Sequence, residues 1–255
     1  MAVVERERRG SVEVVRLNRP EARNAVNPEV GHAVAGILDA AEADADVRAV
    51  VITGTGEVFS AGADLKVIAS GRVAELAAVP GGFAGITNRD FPKPLIAAVN
   101  GPALAGGCEI VLACDLVVAA TTSRFGIPEV KRGLLAAAGG LFRLPQRLPV
   151  AVALELAMTG DPIDADRALQ LGLVNRVVEP AAVLDTALAL AARIGENSPA
   201  AVRASRRLVR EARELSEAEA WRRTFELSGE VMATGDAIEG ATAFAEKRPP
   251  VWKST

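Results

Sequence analysis

Two segments of this chain repeat one construction: a β-like run, a turn of small residues, and a helix whose first backbone N–H groups have no acceptor within the helix. In the first, Phe59-Ser60-Ala61-Gly62-Ala63-Asp64-Leu65 follows the β-like run 48–53 and leads into a helix from about Asp64. In the second, Asn100-Gly101-Pro102-Ala103-Leu104-Ala105-Gly106-Gly107-Cys108-Glu109 follows the run 95–100 and opens an apolar helix over 106–113. Such helix starts either make plain tight turns or present donors to a developing oxyanion. Paired glycines let a ligand approach the backbone closely. Glu109 falls in the first helical turn, where the helix dipole favours a carboxylate. Taken alone, that position is ordinary helix-start chemistry, although it also suits an ionised general base.

Around these segments the pattern is α/β. A β-like run at 12–17 precedes a helix over 28–43, and a further strand is expected at 116–120. From about Leu141 the reading is mostly helical, broken by Pro145, Pro149, Pro162 and Pro199 and by one short strand at 173–178. The stretch 199–247 reads as helix throughout. Its run of Arg203, Arg206, Arg207, Arg210, Glu211, Arg213 and Glu214 reads as a solvated face or a subunit contact.

Composition removes several function classes. A net charge of −3 without a sustained Lys or Arg run gives no nucleic-acid surface. Residues 1–10 are charged and no segment supplies the roughly 20 apolar residues of a membrane span, so a cytoplasmic enzyme of small molecules is expected. The two cysteines, Cys108 and Cys114, have no companion Cys or nearby His, so neither a metal site nor a disulfide framework is expected. A serine hydrolase needs an activating base, and the only histidine, His32, lies in a helical stretch outside every glycine turn. A dinucleotide oxidoreductase needs G-x-G-x-x-G after a strand, and neither turn has that spacing.

A third segment, Phe125-Gly126-Ile127-Pro128-Glu129, sets a carboxylate among apolar residues, with Gly133-Leu134 and Gly139-Gly140 following. Partial burial there raises a carboxyl pKa and keeps a proton available for transfer. The alternative is a surface carboxylate paired with Lys131 or Arg132.

Together these segments resemble the crotonase, or enoyl-CoA hydratase and isomerase, superfamily. The resemblance runs from about Val12 to Trp252. It rests on Ser60-Ala61-Gly62-Ala63-Asp64-Leu65, the stretch 94–109, the stretch 125–134, Gly172-Leu173-Val174 and Ala243-Phe244-Ala245-Glu246-Lys247-Arg248, in that order. It implies a crotonase-like (ClpP/crotonase) spiral of ββα units over 1–195, followed by a helical trimerisation region over 196–255. It also implies a homotrimer, or a hexamer of two trimers, and no cofactor beyond the coenzyme A carried by the substrate.

Carried over residue by residue, the resemblance puts the oxyanion-hole donors at the backbone N–H groups of Ala63 and Gly106. The two glutamates of a hydratase fall on Glu109, the base that activates water, and Glu129, the proton donor to Cα. Coenzyme A contacts are implied near Ala22, Ala25 and Ala61, an adenine pocket near Asp64, Leu65 and Lys66, and a further contact at Pro128. Phe244 and Lys247 would come from a neighbouring subunit. The implied activity is reversible syn addition of water to a 2-trans-enoyl-CoA. The alternatives on the same scaffold are an isomerase, which could work with Glu129 alone, another crotonase-type dehydratase or lyase, and a non-catalytic acyl-CoA binding protein, which would need neither glutamate.

The sequence departs from the family pattern in places. Glu21 stands where Lys or Arg is common, so a phosphate contact passes to Arg23 or Arg19. Pro102 replaces a common Tyr. Ala136-Ala137-Ala138 and Leu141-Phe142 make one wall of the acyl pocket more apolar. The segment 66–90, with Gly81, Gly82 and Gly85, reads as a flexible lid with little fixed structure.

Overall fold

The computed structural model describes residues 2–253; Met1, Ser254 and Thr255 lie outside it, and with them the outermost ends of the expected regions 1–195 and 196–255. Strands β1 (Val4–Arg9) and β2 (Val12–Leu17) form a hairpin. Helix α1 (Pro28–Ala43) follows, with the Asn27 side chain accepting the Val30 N–H and Pro28 opening the first turn. Next come β3 (Ala49–Gly54), the short helices α2 (Leu65–Ala69) and α3 (Val73–Ala77), β4 (Leu95–Val99), β5 (Ala103–Leu104) and α4 (Gly106–Ala113). The chain continues through β6 (Leu116–Ala120), β7 (Arg124–Gly126), α5 (Gly140–Arg147), α6 (Val150–Thr159), β8 (Ile163–Asp164), α7 (Ala165–Gln170), β9 (Arg176–Val178) and α8 (Val183–Gly195). It ends in α9 (Pro199–Glu211), α10 (Glu217–Ala233) and α11 (Asp236–Glu246).

The larger sheet has the order β1-β2-β3-β4-β6-β9, parallel throughout except for the β1–β2 hairpin. Both faces are covered, which explains why its central strands are near-continuous apolar runs. Val50, Ile52, Ala97, Val99, Val117 and Ala119 point into the main core with α1, whereas Val51, Ile96, Ala98, Val118 and Ala120 pack against Val183, Ala187 and Ala191 of α8. This alternation is the period of two that a strand imposes.

A second layer joins β5, β7 and β8. Each of β4 and β6 is followed by one of these short strands and then by a helix or a 3-10 turn, so ββα units succeed one another along the chain. No helix among the described residues is long and apolar enough to cross a membrane.

The stretch 199–247 is helical as expected, in three helices, because Gly235 in the left-handed region (φ +80) and the Ser216 capping box each mark a new start. Three expectations need correction. The expected strand 173–178 begins at Arg176, since Leu173 and Val174 close the C-terminus of α7 through hydrogen bonds to the Ala168 carbonyl. The segment 66–90 contains α2, α3 and a 3-10 turn at Phe83–Gly85, and its second half is pinned rather than flexible. The arginine-rich face of α9 turns partly inward. Arg206 and Arg210 hold Asp115 at 2.7 and 2.9 Å, and Asp115 in turn caps the Leu95 N–H.

Candidate active site

Residues 63, 106 and 129 are brought together by strand register. Ser60 bridges Ala103, and Ala103 and Leu104 pair with Phe125 and Gly126 of β7. Ala63 lies three residues beyond Ser60, Gly106 three beyond Ala103, and Glu129 four beyond Phe125. Three successive units therefore deliver these residues to one end of the second layer.

Backbone pairing also frees the two N–H groups. Val26 donates to the Gly62 carbonyl at 2.7 Å and accepts from Asp64 N–H at 2.9 Å, a parallel bridge that turns the Ala63 N–H to the other side. Gly106 is the first residue of α4, whose N–H has no intrahelical acceptor. Neither group donates to an acceptor among the described residues. Ala105, just before it, is held at φ +53 and ψ −130, a conformation that a non-glycine residue seldom adopts. The two loops touch through glycine: a Cβ on Gly62 would sit 2.6 Å from the Gly106 nitrogen. A Cβ on Gly107 would sit 2.2 Å from the Ser60 carbonyl oxygen, so the glycine pair of the second loop is needed for close approach to the first.

Glu109 is 3% exposed, in a helix whose residues are all buried. Its Oε1 accepts the Gly140 N–H at 2.8 Å. Burial raises its pKa above the ordinary carboxylate value, while the N–H groups of Gly140 and Ala138 and the Arg143 guanidinium favour its charge. Glu129 opens the 3-10 turn Pro128–Arg132, and its Oε2 is buried without a hydrogen-bond partner. Burial is the main cause that raises Glu129 to about 7; its own backbone N–H opposes the rise, the charge of Glu109 adds to it, and Arg132 opposes it. Lys131 is taken by Asp161, which removes one of the surface pairings expected for Glu129. Two carboxyl groups in one cleft are thus tuned apart, one tied to backbone donors and one left ready to hold a proton.

Both glutamates and Gly106 line a cleft of about 1020 Å³ together with Ala63, Ala22, Ala25, Ala61, Asp64, Leu65, Lys66 and Pro128. The expected coenzyme A positions of this chain therefore border the same space as the carboxylates. Phe244, 88% exposed on α11, and Lys247 do not reach the cleft of their own chain. Arg19 is committed to Asp64 at 3.0 Å and to the Ala25 carbonyl at 2.6 Å, whereas Arg23 and Lys66 are exposed where they line the same cleft.

Sequence reasoning missed the supports. Arg143 donates to the carbonyls of Ala138 and Thr87, and Phe83 borders the cleft, with no motif to signal either. Gly140 was visible only as half of a glycine pair.

The sequence profile of the enoyl-CoA hydratase/isomerase family matches residues 7–255. Carnitinyl-CoA dehydratase of Citrobacter koseri is 42% identical over 96% of each chain. Among solved structures, enoyl-CoA hydratase from Mycobacterium tuberculosis H37Rv is 48% identical, with a TM-score of 0.95 over 100% of each chain. Carnitinyl-CoA hydratase from Mycobacterium avium is also 48% identical, with a TM-score of 0.79 over 99% of each chain. With its crotonase fold and its full-length match, the chain belongs to the enoyl-CoA hydratase/isomerase family as a crotonase-type hydratase or dehydratase of coenzyme A thioesters.

Proposed function

We propose that the protein is an enoyl-CoA hydratase that adds water to the same face of a 2-trans-enoyl-CoA to give a 3-hydroxyacyl-CoA. The observation that carries this reading is the contrast between its two glutamates. Glu109, tied to the Gly140 N–H, is the base that takes a proton from water as its oxygen attacks Cβ. Glu129, with an unpartnered buried oxygen and a pKa of about 7, delivers a proton to Cα. The N–H groups of Ala63 and Gly106 bind the thioester oxygen, which gains enolate charge between these events. Dehydration runs the same steps backwards.

The test is loss of the conjugated enoyl absorbance with crotonyl-CoA and longer 2-trans-enoyl-CoA thioesters. Turnover supports the reading; binding without turnover leaves a non-catalytic acyl-CoA binder, and migration of a 3-enoyl double bond in its place leaves an isomerase. The names of the relatives favour a second reading, dehydration of a carnitinyl thioester. Carnitinyl-CoA offered beside 3-hydroxybutyryl-CoA separates the two by their kcat/KM values.

The pKa directions fix the pH profile. Glu129 must be protonated to act as acid and loses that proton as pH rises through about 7, so kcat/KM for hydration falls above that pH. Glu109 must be ionised to act as base, and its raised pKa places the acid limb above the ordinary carboxylate range. The expected result is a narrow bell for crotonyl-CoA; a profile flat from pH 6 to 9 contradicts the assignment.

For the coenzyme, the reading uses Ala22, Ala25, Ala61, Asp64, Leu65 and Lys66 of one chain with Phe244 and Lys247 of a neighbour. The exposed Trp221, Phe225, Met232 and Ile238 of α10 and α11 give the region 196–255 an apolar surface suited to the trimer or hexamer this arrangement requires.

A further inference from the structure

The segment after α3 is built around backbone that only tight packing holds in place. Gly81, Gly82, Ala84 and Gly85 all have positive φ, and Ala84, at φ 56 and ψ 16, is there without the freedom of glycine. Such a residue costs about 1–2 kcal/mol and persists where its surroundings over-determine it. Here they do. Asn88 N–H donates to the Gly81 carbonyl at 2.8 Å and Thr87 N–H to the Phe83 carbonyl at 3.2 Å, closing the turn on itself.

Outside contacts fix the turn to the core. Gly85 lies so close to α1 that a Cβ would be 2.7 Å from both the Ala35 nitrogen and the Gly31 carbonyl oxygen. Arg89 donates to Asp39 at 2.6 Å and Glu42 at 2.9 Å, and Arg143 reaches across the cleft to the Thr87 carbonyl at 2.7 Å. Ala84, Gly85, Ile86 and Thr87 are buried. The glycines serve close approach here, not movement.

This anchored turn aims one side chain. The Phe83 ring lines the cleft and lies against Gly106, where a Cβ would meet Cε1 at 2.5 Å and Cζ at 2.6 Å. It therefore flanks the residue whose N–H is the assigned oxyanion donor. A carbonyl held by that donor has only two substituents, the thioester sulfur and Cα, so a fixed ring at this level limits bulk on Cα. Chain lengthening adds atoms beyond Cβ, farther from the donor.

We propose that Phe83 is a specificity-determining residue that admits acyl groups unsubstituted at Cα and refuses those branched there. The proposal deepens the hydratase reading and rests on its placement of the thioester oxygen at Ala63 and Gly106. Because the backbone carrying the ring cannot retreat, a 2-methyl branch meets carbon that is already in contact with Gly106. One methyl group in an apolar pocket is worth about 10–200-fold in discrimination.

The test compares wild type, Phe83→Ala and Phe83→Leu with crotonyl-CoA, 2-methylcrotonyl-CoA and 2-hexenoyl-CoA. In Phe83→Ala the ratio of kcat/KM for the branched over the linear four-carbon chain rises by about 10-fold or more, with a smaller rise in Phe83→Leu. The ratio for hexenoyl over crotonyl stays within about threefold of wild type, since the added methylenes lie beyond Cβ and farther from the ring. Ratios within one variant are independent of how much of it is folded. Calorimetric binding of butyryl-CoA against 2-methylbutyryl-CoA reads the same discrimination without turnover, so an enzyme that hydrates nothing overturns the hydratase reading and still tests Phe83. An unchanged branched-to-linear ratio in both measurements overturns the proposal, and so does an equal rise for the longer linear chain.

Discussion

Glu109→Gln lowers kcat for crotonyl-CoA hydration by about 10²–10⁴-fold, the usual effect of removing a positioned general base. The amide is nearly isosteric and keeps an oxygen to accept the Gly140 N–H, so the packing of α4 is retained while proton acceptance is lost. KM changes little, because the lost interaction belongs to the transition state. Glu129→Gln gives a loss of similar size for a different reason. The amide cannot deliver the proton that burial holds on Glu129 up to about pH 7. The double variant falls little further than either single one, since in the proposed mechanism the two groups serve one addition step as a unit. Steady-state rates on the three proteins check this; full turnover by the double variant removes both assigned roles.

Gly62→Ala lowers kcat by about 10²–10³-fold, the loss expected when an oxyanion donor is displaced. Its new Cβ would lie 2.6 Å from the Gly106 nitrogen and 2.7 Å from the Ala105 Cβ, so the two donor loops must move apart. Backbone strain adds to this, because Gly62 has φ +89. Gly10→Ala separates the two effects. Gly10 also has positive φ, at +59, but nothing lies within 4 Å of a Cβ there, and it sits in the distant β1–β2 hairpin. That variant loses about 1 kcal/mol of stability and keeps its kcat. Thermal unfolding midpoints and steady-state rates on both variants make the comparison; equal kcat values for the two would contradict the oxyanion assignment.

Sequence pattern reveals the parts of this fold with a clear period or a nearly uniform environment. Helix α1 matches the expected range 28–43 through its amphipathic spacing, and helix α4 and strand β6 match 106–113 and 116–120 because an almost fully buried element is a largely apolar run with glycine or Asp at its ends. Strand β1 escapes notice. Its sequence, Val4-Glu5-Arg6-Glu7-Arg8-Arg9, is almost entirely charged and exposed, as befits an edge strand held by its partner β2. Strands β5, β7 and β8, at two or three residues each, are too short to show a period. Yet it is the register of β5 and β7 that carries Gly106 and Glu129 to the same place.

The candidate site divides in the same way. The glycine turns, Glu109 and Glu129 are visible in the sequence through what they resemble, but helix-start and loop chemistry explain each carboxylate equally well until its burial is known. The unpartnered Oε2 of Glu129 depends on neighbours from distant segments. The glycines at 81, 82 and 85 read as freedom and serve as contact: a Cβ would lie 2.7 Å from α1 at Gly85, 2.6 Å from the Gly85 carbonyl oxygen at Gly81 and 2.8 Å from the Asn88 Cβ at Gly82. Arg143 has no signature, since its partners are the main-chain carbonyls of Ala138 and Thr87.

Hydration of crotonyl-CoA in D₂O reports whether the water activated by Glu109 and the proton delivered by Glu129 reach the same side of the substrate. The expected product is 3-hydroxybutyryl-CoA carrying a single deuterium at C2, on the face that received the hydroxyl at C3, as one diastereomer by NMR coupling constants. Deuterium on the opposite face, or an equal mixture at C2, would contradict it.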